Sequence, residues 1–304
     1  MKLNKILTTL VLVPILTFTG CNAGNGSPDE KMALTIGVMP AVDTAPIYLA
    51  EEKGYFDALG LDLTIELFNN AGDRQTALQT HTIDGAMTDL IAVATNVNGG
   101  FDLKATTLTD GVFPVLVREG YEETPEINVA MMEVSVSNFL IDEWLGKDHT
   151  IEKVFINDIP ARLEMIKSGQ VDMGLFPEPM ASNGALDGTL EKRIYTPEDG
   201  ICPNVMAFTS TALTEKEEAI RLFHEGYNQA IKDLNENPDE AHTLLIEKLG
   251  LNPEIKDDII LPTYNLAHLP EEAYIQKIMD WSAETLNHEL LITPNDLVEG
   301  KFVQ

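Results

Sequence analysis

Basic residues are scarce in this sequence: 20 lysines and arginines stand against 49 acids, and the 304 residues carry a formal net charge of −29. A chain of this charge repels phosphate backbones and anionic head groups, which argues against a nucleic-acid partner. Cysteine is almost absent, since two residues provide neither a disulfide framework nor a four-cysteine zinc site. The remaining composition, 44% hydrophobic and 23% charged, is typical of a globular protein.

Clustered metal ligands and catalytic signatures are missing as well. The six histidines lie far apart, and no HxH or HxxxH pair occurs, so we predict no metal site. The G-x-S-x-G, P-loop and HExxH motifs do not occur either. The sequence therefore predicts no cofactor and no enzyme of these classes.

Only the first segment is strongly apolar. Two lysines precede an uncharged run at 6–18, which is shorter than the ~20 residues of a spanning helix and typical of a signal peptide at 1–20. The segment ends in FTGC and resembles the bacterial lipobox, which implies that Cys21 is lipidated and becomes the N-terminus. The alternative is an ordinary cleaved signal. Residues 21–32, with the polar run NAGNGSPDEK, indicate a flexible tether.

Short apolar runs then alternate with helical patterns, which predicts α/β architecture with mostly parallel sheets flanked by helices. The predicted strands are 33–38, 61–68, 83–87, 103–108, 112–117, 127–132, 154–156, 171–176 and 204–209. The predicted helices are 44–54, 73–80, 88–97, 136–145, 159–167 and 180–186, then 214–235, 238–249 and 270–288, with a short one at 294–299.

A polar segment at 118–126 interrupts this alternation and indicates a crossing between two lobes. We predict lobe 1 at 33–117 plus 210–304, lobe 2 at 127–203, and crossings near 117–127 and 203–209.

One segment recurs in both predicted lobes: a short helix, a tight stop and a buried strand led by aspartate. The helix carries Arg74 in the first copy and Arg162 in the second. Gly169 is the usual left-handed stop, and we expect His81 to adopt the same conformation in the first copy.

The run from Ile36 to Phe56, IGVMPAVDTAPIYLAEEKGYF, resembles the opening of one group of bacterial solute-binding proteins. This group serves ABC importers and includes binders of nitrate, alkanesulfonates, taurine and thiamine pyrimidine precursors. The repeated segments, with RLEMIKSGQVD at 162–172 and PEP at 177–179, are similar to later blocks of the group. The resemblance covers about residues 33–212, and His81 departs from it where the group has glycine.

The resemblance implies a two-lobed type II periplasmic-binding-protein fold that closes on a small solute by hinge motion. It also implies an extracytoplasmic monomer, held to the membrane only by its lipid, whose partners are an ABC permease and its ATPase. Two alternatives stay open. The first is an enzyme on the same fold, of the pyrimidine-synthase or dehydratase type, although the synthase has a cysteine-rich cluster that this chain lacks. The second is a sensory solute-binding lipoprotein.

Ligands of open α/β sheets bind beyond the carboxyl ends of the strands, next to helix N-termini. Applied to each predicted strand, this rule gives the candidate ligand-binding residues Met39, Asp43, Thr44, Asn69, Asn70, Thr88, Asp89, Glu133, Ser135, Asn157, Glu178 and Asn204.

Four of these candidates are carboxylates, Asp43, Asp89, Glu133 and Glu178, and none is a lysine or arginine. Carboxylates accept charge-assisted hydrogen bonds, so we hypothesise a nitrogenous, neutral-to-cationic solute. The competing interpretation is that Asp43 and Asp89 only cap helices.

Overall fold

The computed structural model of the protein describes residues 31–196, 200, 202–287 and 289–303. The predicted signal segment, Cys21 and nearly all of the predicted tether lie outside the described residues. From Lys31 onward the chain clusters as one folded unit, and two β-sheets organise it. Among the residues with described positions, no helix is long and apolar enough to cross a membrane.

Ten strands occur in the described part of the chain, and most follow the predicted apolar runs. They are β1 (Met32–Val38), β2 (Leu61–Leu67), β3 (Gly85–Asp89), β4 (Leu103–Leu108), β5 (Val115–Arg118), β6 (Glu126–Met131), β7 (Thr150–Phe155), β8 (Met173–Leu175), β9 (Leu190–Arg193) and β10 (Asn204–Thr209). Strand β9 was not predicted, because its sequence LEKR has no apolar run.

The first sheet has the strand order β2-β1-β3-β10-β4. Strands β1, β2 and β3 pair in parallel, whereas β10 pairs antiparallel with both β3 and β4. The prediction of a mostly parallel sheet is therefore confirmed, with one reversed strand that comes from the distant part of the chain. An extended strand was predicted at the residues of β10, but as a crossing between the lobes and not as a member of a sheet. It is a fully buried member of this sheet, so the crossing precedes residue 204.

The second sheet has the order β7-β6-β8-β5-β9, and β5 is its reversed strand. Residues 112–117 were predicted to end lobe 1, but β5 pairs with β8 and β9. The first crossing therefore lies before β5, at 109–114, and the polar segment 118–126 joins β5 to β6 within the second sheet. The reason for the error is physical: an apolar run indicates a buried strand but carries no information about which sheet it joins.

Eleven α-helices flank the two sheets in the described residues. They are α1 (Ala45–Glu52), α2 (Tyr55–Ala58), α3 (Ala71–Gln79), α4 (Leu90–Asn98), α5 (Val136–Leu145), α6 (Ile159–Lys167), α7 (Met180–Ala185), α8 (Ser210–Glu215), α9 (Glu217–Glu236), α10 (Asp239–Leu249) and α11 (Glu272–Thr285).

Polar side chains define where the helices around the strand ends begin. Asn70, Asp89, Ser135 and Asp158 precede α3, α4, α5 and α6, and each accepts a hydrogen bond from a backbone N–H of the first turn. This capping satisfies donors that have no partner inside the helix. All four helices start directly after a strand of their sheet, so their N-termini point towards the carboxyl ends of the strands.

A continuous apolar cluster connects the two sheets on one side. It includes buried Ala86 of the first sheet and Val129 of the second. Phe139 of α5 packs edge-on against Trp281 of α11, with 5.4 Å between ring centroids. The two sheets are thus held by shared packing, and their strand ends meet at the site described next.

Candidate functional site

A cavity of about 50 Å³ lies where the carboxyl ends of the two sheets face each other. Met39 follows β1 and Asp89 ends β3, whereas Met132 follows β6 and Pro177 follows β8, so both sheets contribute to its wall. A single water needs roughly 10–15 Å³, and pockets for drug-sized ligands begin near 300 Å³, so this geometry fits only a small solute.

Five of the twelve predicted residues line this cavity. They are Met39, Asp43, Thr88, Asp89 and Asn204. Residues that were not predicted complete the wall: Ala41, Arg74, Met87, Phe113, Met132, Val136, Ile159 and Pro177. The wall is therefore mainly apolar, with a small number of charged and polar groups at fixed places, as is usual for ligand sites.

Asp43 is a buried carboxylate in the cavity wall, 2% exposed, inside the short 3-10 helix Val42–Thr44. Its Oδ2 accepts hydrogen bonds from Thr109 Oγ1 and from Asn204 Nδ2, both at 2.9 Å. Burial raises the pKa of Asp43 above its usual 3.8, and these two hydrogen bonds partly oppose that rise. Asp43 therefore does not cap a helix. Its carboxylate binds the side chains of Thr109 and Asn204, next to the two places where the chain crosses between the sheets.

Asp89 caps α4, as the competing interpretation held. Its Oδ1 accepts the backbone N–H of Ala92 at 2.9 Å. Burial raises the pKa of Asp89, and backbone N–H groups of Ala92 and Val136 oppose the rise, with Arg74 adding a favourable charge. Val136 begins α5 of the second sheet, so this carboxylate lies at the N-termini of one helix from each sheet.

Arg74 on α3 is a cation in the cavity wall and was not among the predicted residues. It is 8% exposed, and its Nη2 donates to Thr88 Oγ1 at 3.1 Å. Burial lowers its pKa, while the charges of Asp89 and Asp43 raise it. The cavity wall therefore contains a basic residue, although none stands among the twelve candidates. The strand-end rule stops at the helix cap, whereas Arg74 lies one turn inside the helix that follows β2. Arg74 follows the Asn70 cap by four residues, so a search that included the first turn of each helix would have found it.

Glu133 and Asn157 lie beside the cavity but not in it. Both are exposed, and both line a more open depression of about 280 Å³ that shares Arg74 and Met132 with the cavity. Arg74 thus stands between the enclosed space and the outer depression.

Thr44, Asn69, Asn70 and Ser135 have local positions outside the cavity wall. Thr44 stands directly before α1 at its N-cap position, within one residue of the predicted start, but its hydroxyl donates to the Ala41 carbonyl at 2.6 Å and accepts no hydrogen bond from the first turn. Asn70 and Ser135 cap α3 and α5, and Asn69 is exposed. These residues belong to the elements around the cavity and are not part of its wall.

Glu178 was predicted to contact the solute, but its side chain is fully buried away from the cavity. Its carboxylate accepts hydrogen bonds from Ser182 Oγ at 2.8 Å and Lys192 Nζ at 3.0 Å. Lys192 also donates to the main-chain oxygen of Asp258. The neighbouring residue Pro177 lines the cavity instead. The strand-end rule therefore selected a residue one position too far along the chain.

A second buried arginine lies behind the cavity wall. Arg162 of α6 is fully buried, and its guanidinium lies over the ring of Phe176 at 5.0 Å from the centroid. Its Nε, Nη1 and Nη2 atoms have no hydrogen-bond partner in the described part of the chain. Burial lowers the pKa of Arg162 to about 10. The chain neighbours of this pair, Ile159 one turn earlier and Pro177 directly after Phe176, line the cavity.

Residues 27–189, more than half of the sequence, match the NMT1-like family. The chain belongs to this family. No curated protein sequence is similar enough to count as a match.

Solved structures with the same fold cover nearly the whole chain. The zinc-bound ligand-binding component of an ABC-type import system from Staphylococcus aureus has 14% identity and a TM-score of 0.78, with 90% of this chain and 98% of that chain covered. The alkanesulfonate-binding protein SsuA from Xanthomonas axonopodis, bound to MOPS, has 18% identity and a TM-score of 0.69, with 88% and 98% covered. The periplasmic nitrate-binding protein NrtA from Synechocystis has 14% identity and a TM-score of 0.62, with 80% and 73% covered.

These similarities confirm the predicted periplasmic-binding-protein fold, with two sheets that are each flanked by helices. In the described residues, no group of three or more histidine, cysteine, aspartate or glutamate side chains is arranged to hold a metal ion.

Proposed function

We propose that the protein is the extracytoplasmic solute-binding component of an ABC importer, which binds a small solute between two lobes and delivers it to a permease. One observation carries the proposal: the cavity at the carboxyl ends of the strands is lined from both sheets. A solute there contacts both lobes at once, which favours the closed arrangement over the open one. The similar solved structures are solute-binding proteins by their own names, and one is named as the ligand-binding component of an ABC-type import system, which supports the same function here.

The lobes of this proposal follow the sheet membership. Lobe 1 contains the first sheet with helices α1–α4 and α8–α11, and lobe 2 contains the second sheet with α5–α7. Two chain passages connect them, one near 109–114 and one between β9 and β10.

Anchoring to the cell membrane through a lipid on Cys21 completes the proposal. It rests on the sequence alone: the signal-like segment 1–20, the FTGC ending and the polar run that follows. The protein then acts as a tethered monomer beside its permease and the ATPase of that permease.

Binding without chemical conversion is also part of the proposal. Asp43 and Asp89, the two acids of the cavity, already serve as acceptors for Asn204, Thr109 and backbone N–H groups. These partners make the carboxylates fixed parts of the wall, and general acid–base work is not needed to explain them.

Native mass spectrometry tests the function. The protein, incubated with a small-molecule extract of the producing cells and desalted, should carry an added mass that denaturation releases unchanged. Val136→Trp, which fills the cavity, should lose the added mass, whereas Leu291→Trp at a position 82% exposed should keep it. Thermal unfolding checks that both variants are folded. Absence of any retained molecule in the wild-type protein, or release of a converted product, would contradict the proposal.

A further inference from the structure

Arg74 has hydrogen-bonding capacity that the protein itself does not use. A guanidinium has five N–H donors. In the described structure Arg74 makes one side-chain hydrogen bond, from Nη2 to Thr88, and its buried Nε has no partner. Buried donors are nearly always paired, and Arg74 lines the cavity, so an acceptor on a bound solute is a suitable partner for its unused donors.

The two carboxylates of the cavity do not neutralise this cation by contact. Asp43 and Asp89 affect Arg74 through their charges, yet neither forms an ion pair or hydrogen bond with it among the described residues. Asp89 is occupied by the N-termini of α4 and α5. Asp43 accepts its two side-chain hydrogen bonds through Oδ2 alone, and a carboxylate has about four lone-pair sites, so it retains acceptor capacity.

A solute with only one kind of charged group leaves either Arg74 or Asp43 without a partner on the solute. A purely cationic solute adds a positive charge beside Arg74, whose Nε stays unpaired. A purely anionic solute pairs with Arg74 but adds a negative charge beside Asp43 and Asp89. An unpaired charged group is costly here because much of the surrounding wall, with Met39, Phe113 and other apolar side chains, cannot solvate it.

We propose that the cavity selects a small amphoteric solute, which presents an anionic or strongly accepting group to Arg74 and an N–H donor to Asp43. This inference rests on the proposed function and narrows its substrate class. It replaces the neutral-to-cationic solute expected from the acids alone, since that expectation omitted Arg74.

Three probes of equal chain length separate the classes: β-alanine carries both end groups, propionate only the carboxylate and propylamine only the ammonium. Isothermal titration of the wild-type protein at pH 7.5 should show binding of β-alanine that is at least about tenfold tighter than binding of either other probe. Equal or tighter binding of propylamine or propionate overturns the inference, and so does a lack of binding of all three.

Variants locate the two contacts. Arg74→Met and Asp43→Asn should each weaken β-alanine binding at least about tenfold, as expected for loss of a charge-assisted hydrogen bond. Arg74→Lys keeps the charge and should fall between Arg74→Met and the wild type, which separates a binding role from a folding defect. Arg221→Met, an exposed arginine paired with Glu218, is the matched control and should leave binding within about twofold. Unchanged binding in folded Arg74→Met overturns the inference.

The native mass measurement keeps this inference distinct from the proposed function. If the wild-type protein retains a molecule from the extract but binds none of the three probes, the amphoteric class is wrong and the function stands. If it retains nothing, the function itself fails.

Discussion

Asp43 is an acid whose burial lowers the stability of the folded protein at neutral pH, a cost that the proposed contact with a solute explains. The carboxylate is removed from water and receives its hydrogen bonds from two neutral side chains, Thr109 and Asn204. Neutral donors compensate only part of the cost of burying a charge, which is why its pKa is raised. An acid held in this way is available to a donor on the solute.

Asp43→Asn should therefore stabilise the free protein at neutral pH. The amide keeps an oxygen that can accept from Thr109 or Asn204 and removes the buried charge, so we expect the free energy of unfolding at pH 7.5 to rise by about 1 kcal/mol. The folded state of the wild type binds a proton more tightly than the unfolded state does, since burial raises the folded pKa above 3.8. The advantage of the variant should thus shrink as pH falls through that raised pKa towards 3.8.

Urea unfolding of both proteins at pH 7.5, 6, 5 and about 4 measures this difference. Asp257→Asn, at an exposed position, is the control and should show a nearly constant difference from the wild type. A difference between wild type and Asp43→Asn that grows on acidification would mean that Asp43 is stabilised as a carboxylate, contrary to the described environment.

At the scale of elements, α3 and α6 have the same arrangement of cap, buried arginine and C-terminal stop, one beside each sheet. Their caps, Asn70 and Asp158, form an antiparallel backbone bridge to each other, and each helix carries a buried arginine four residues after its cap. Each helix is followed by a residue with positive φ: His81 at 55° and Gly169 at 76°. The left-handed conformation expected for His81 is confirmed.

An aspartate precedes the strand that follows each of these two helices, and in both sheets it accepts a backbone N–H of the neighbouring strand. Asp84 accepts the backbone N–H of Thr35 at 2.8 Å, and Asp172 accepts that of Asn128 at 3.0 Å. The repeat visible in the sequence therefore extends to the hydrogen bonds between loop and neighbouring strand.

The two arginines differ in their surroundings, and this difference predicts different effects of substitution. The Arg162 guanidinium makes no hydrogen bond in the described structure, so the ring of Phe176 and the charge of Asp158 compensate its burial only in part. Arg162→Met keeps an apolar stem over that ring and removes the charge. We expect the free energy of unfolding to rise by roughly 1–3 kcal/mol, as found when buried charges are replaced by apolar groups of similar volume.

Chemical unfolding of Arg162→Met beside the exposed control Arg221→Met tests this expectation. The control should change stability by less than about 0.5 kcal/mol. A loss of more than about 2 kcal/mol in Arg162→Met would show that the guanidinium has a stabilising partner.

Element type was more predictable than element membership. Runs such as LDLTIEL and NVMAFT indicate buried strands by themselves, and β2 and β10 lie at or within a residue of the predicted positions. Which sheet a strand joins depends on pairing partners far away in sequence, and for that reason 112–117 was placed in lobe 1 although β5 pairs in the second sheet. Asp43, Asp89 and Asn204 follow from the rule of strand ends. The rule could not reveal which side of the chain faces the cavity, so Glu178 was included and Arg74 omitted.

At the scale of the whole molecule, the two sheets touch at their strand ends through a few polar links. Val42 N–H donates to the Glu178 carbonyl at 2.7 Å, and Asn70 bridges to Asp158. These contacts surround the cavity, whereas the apolar cluster that contains Phe139 and Trp281 connects the sheets more extensively. Few polar links can be broken and remade at low cost, which suits a cleft that opens and closes on a solute.

A crystal structure of the protein with the solute it retains from the cell extract tests the central claim most directly. We predict electron density for a small molecule in the cavity between the two sheets, within hydrogen-bond distance of Arg74 and Asp43. Density for the solute in an outer depression, such as the one lined by Arg221 and Lys301, with only water between the strand ends, would contradict it.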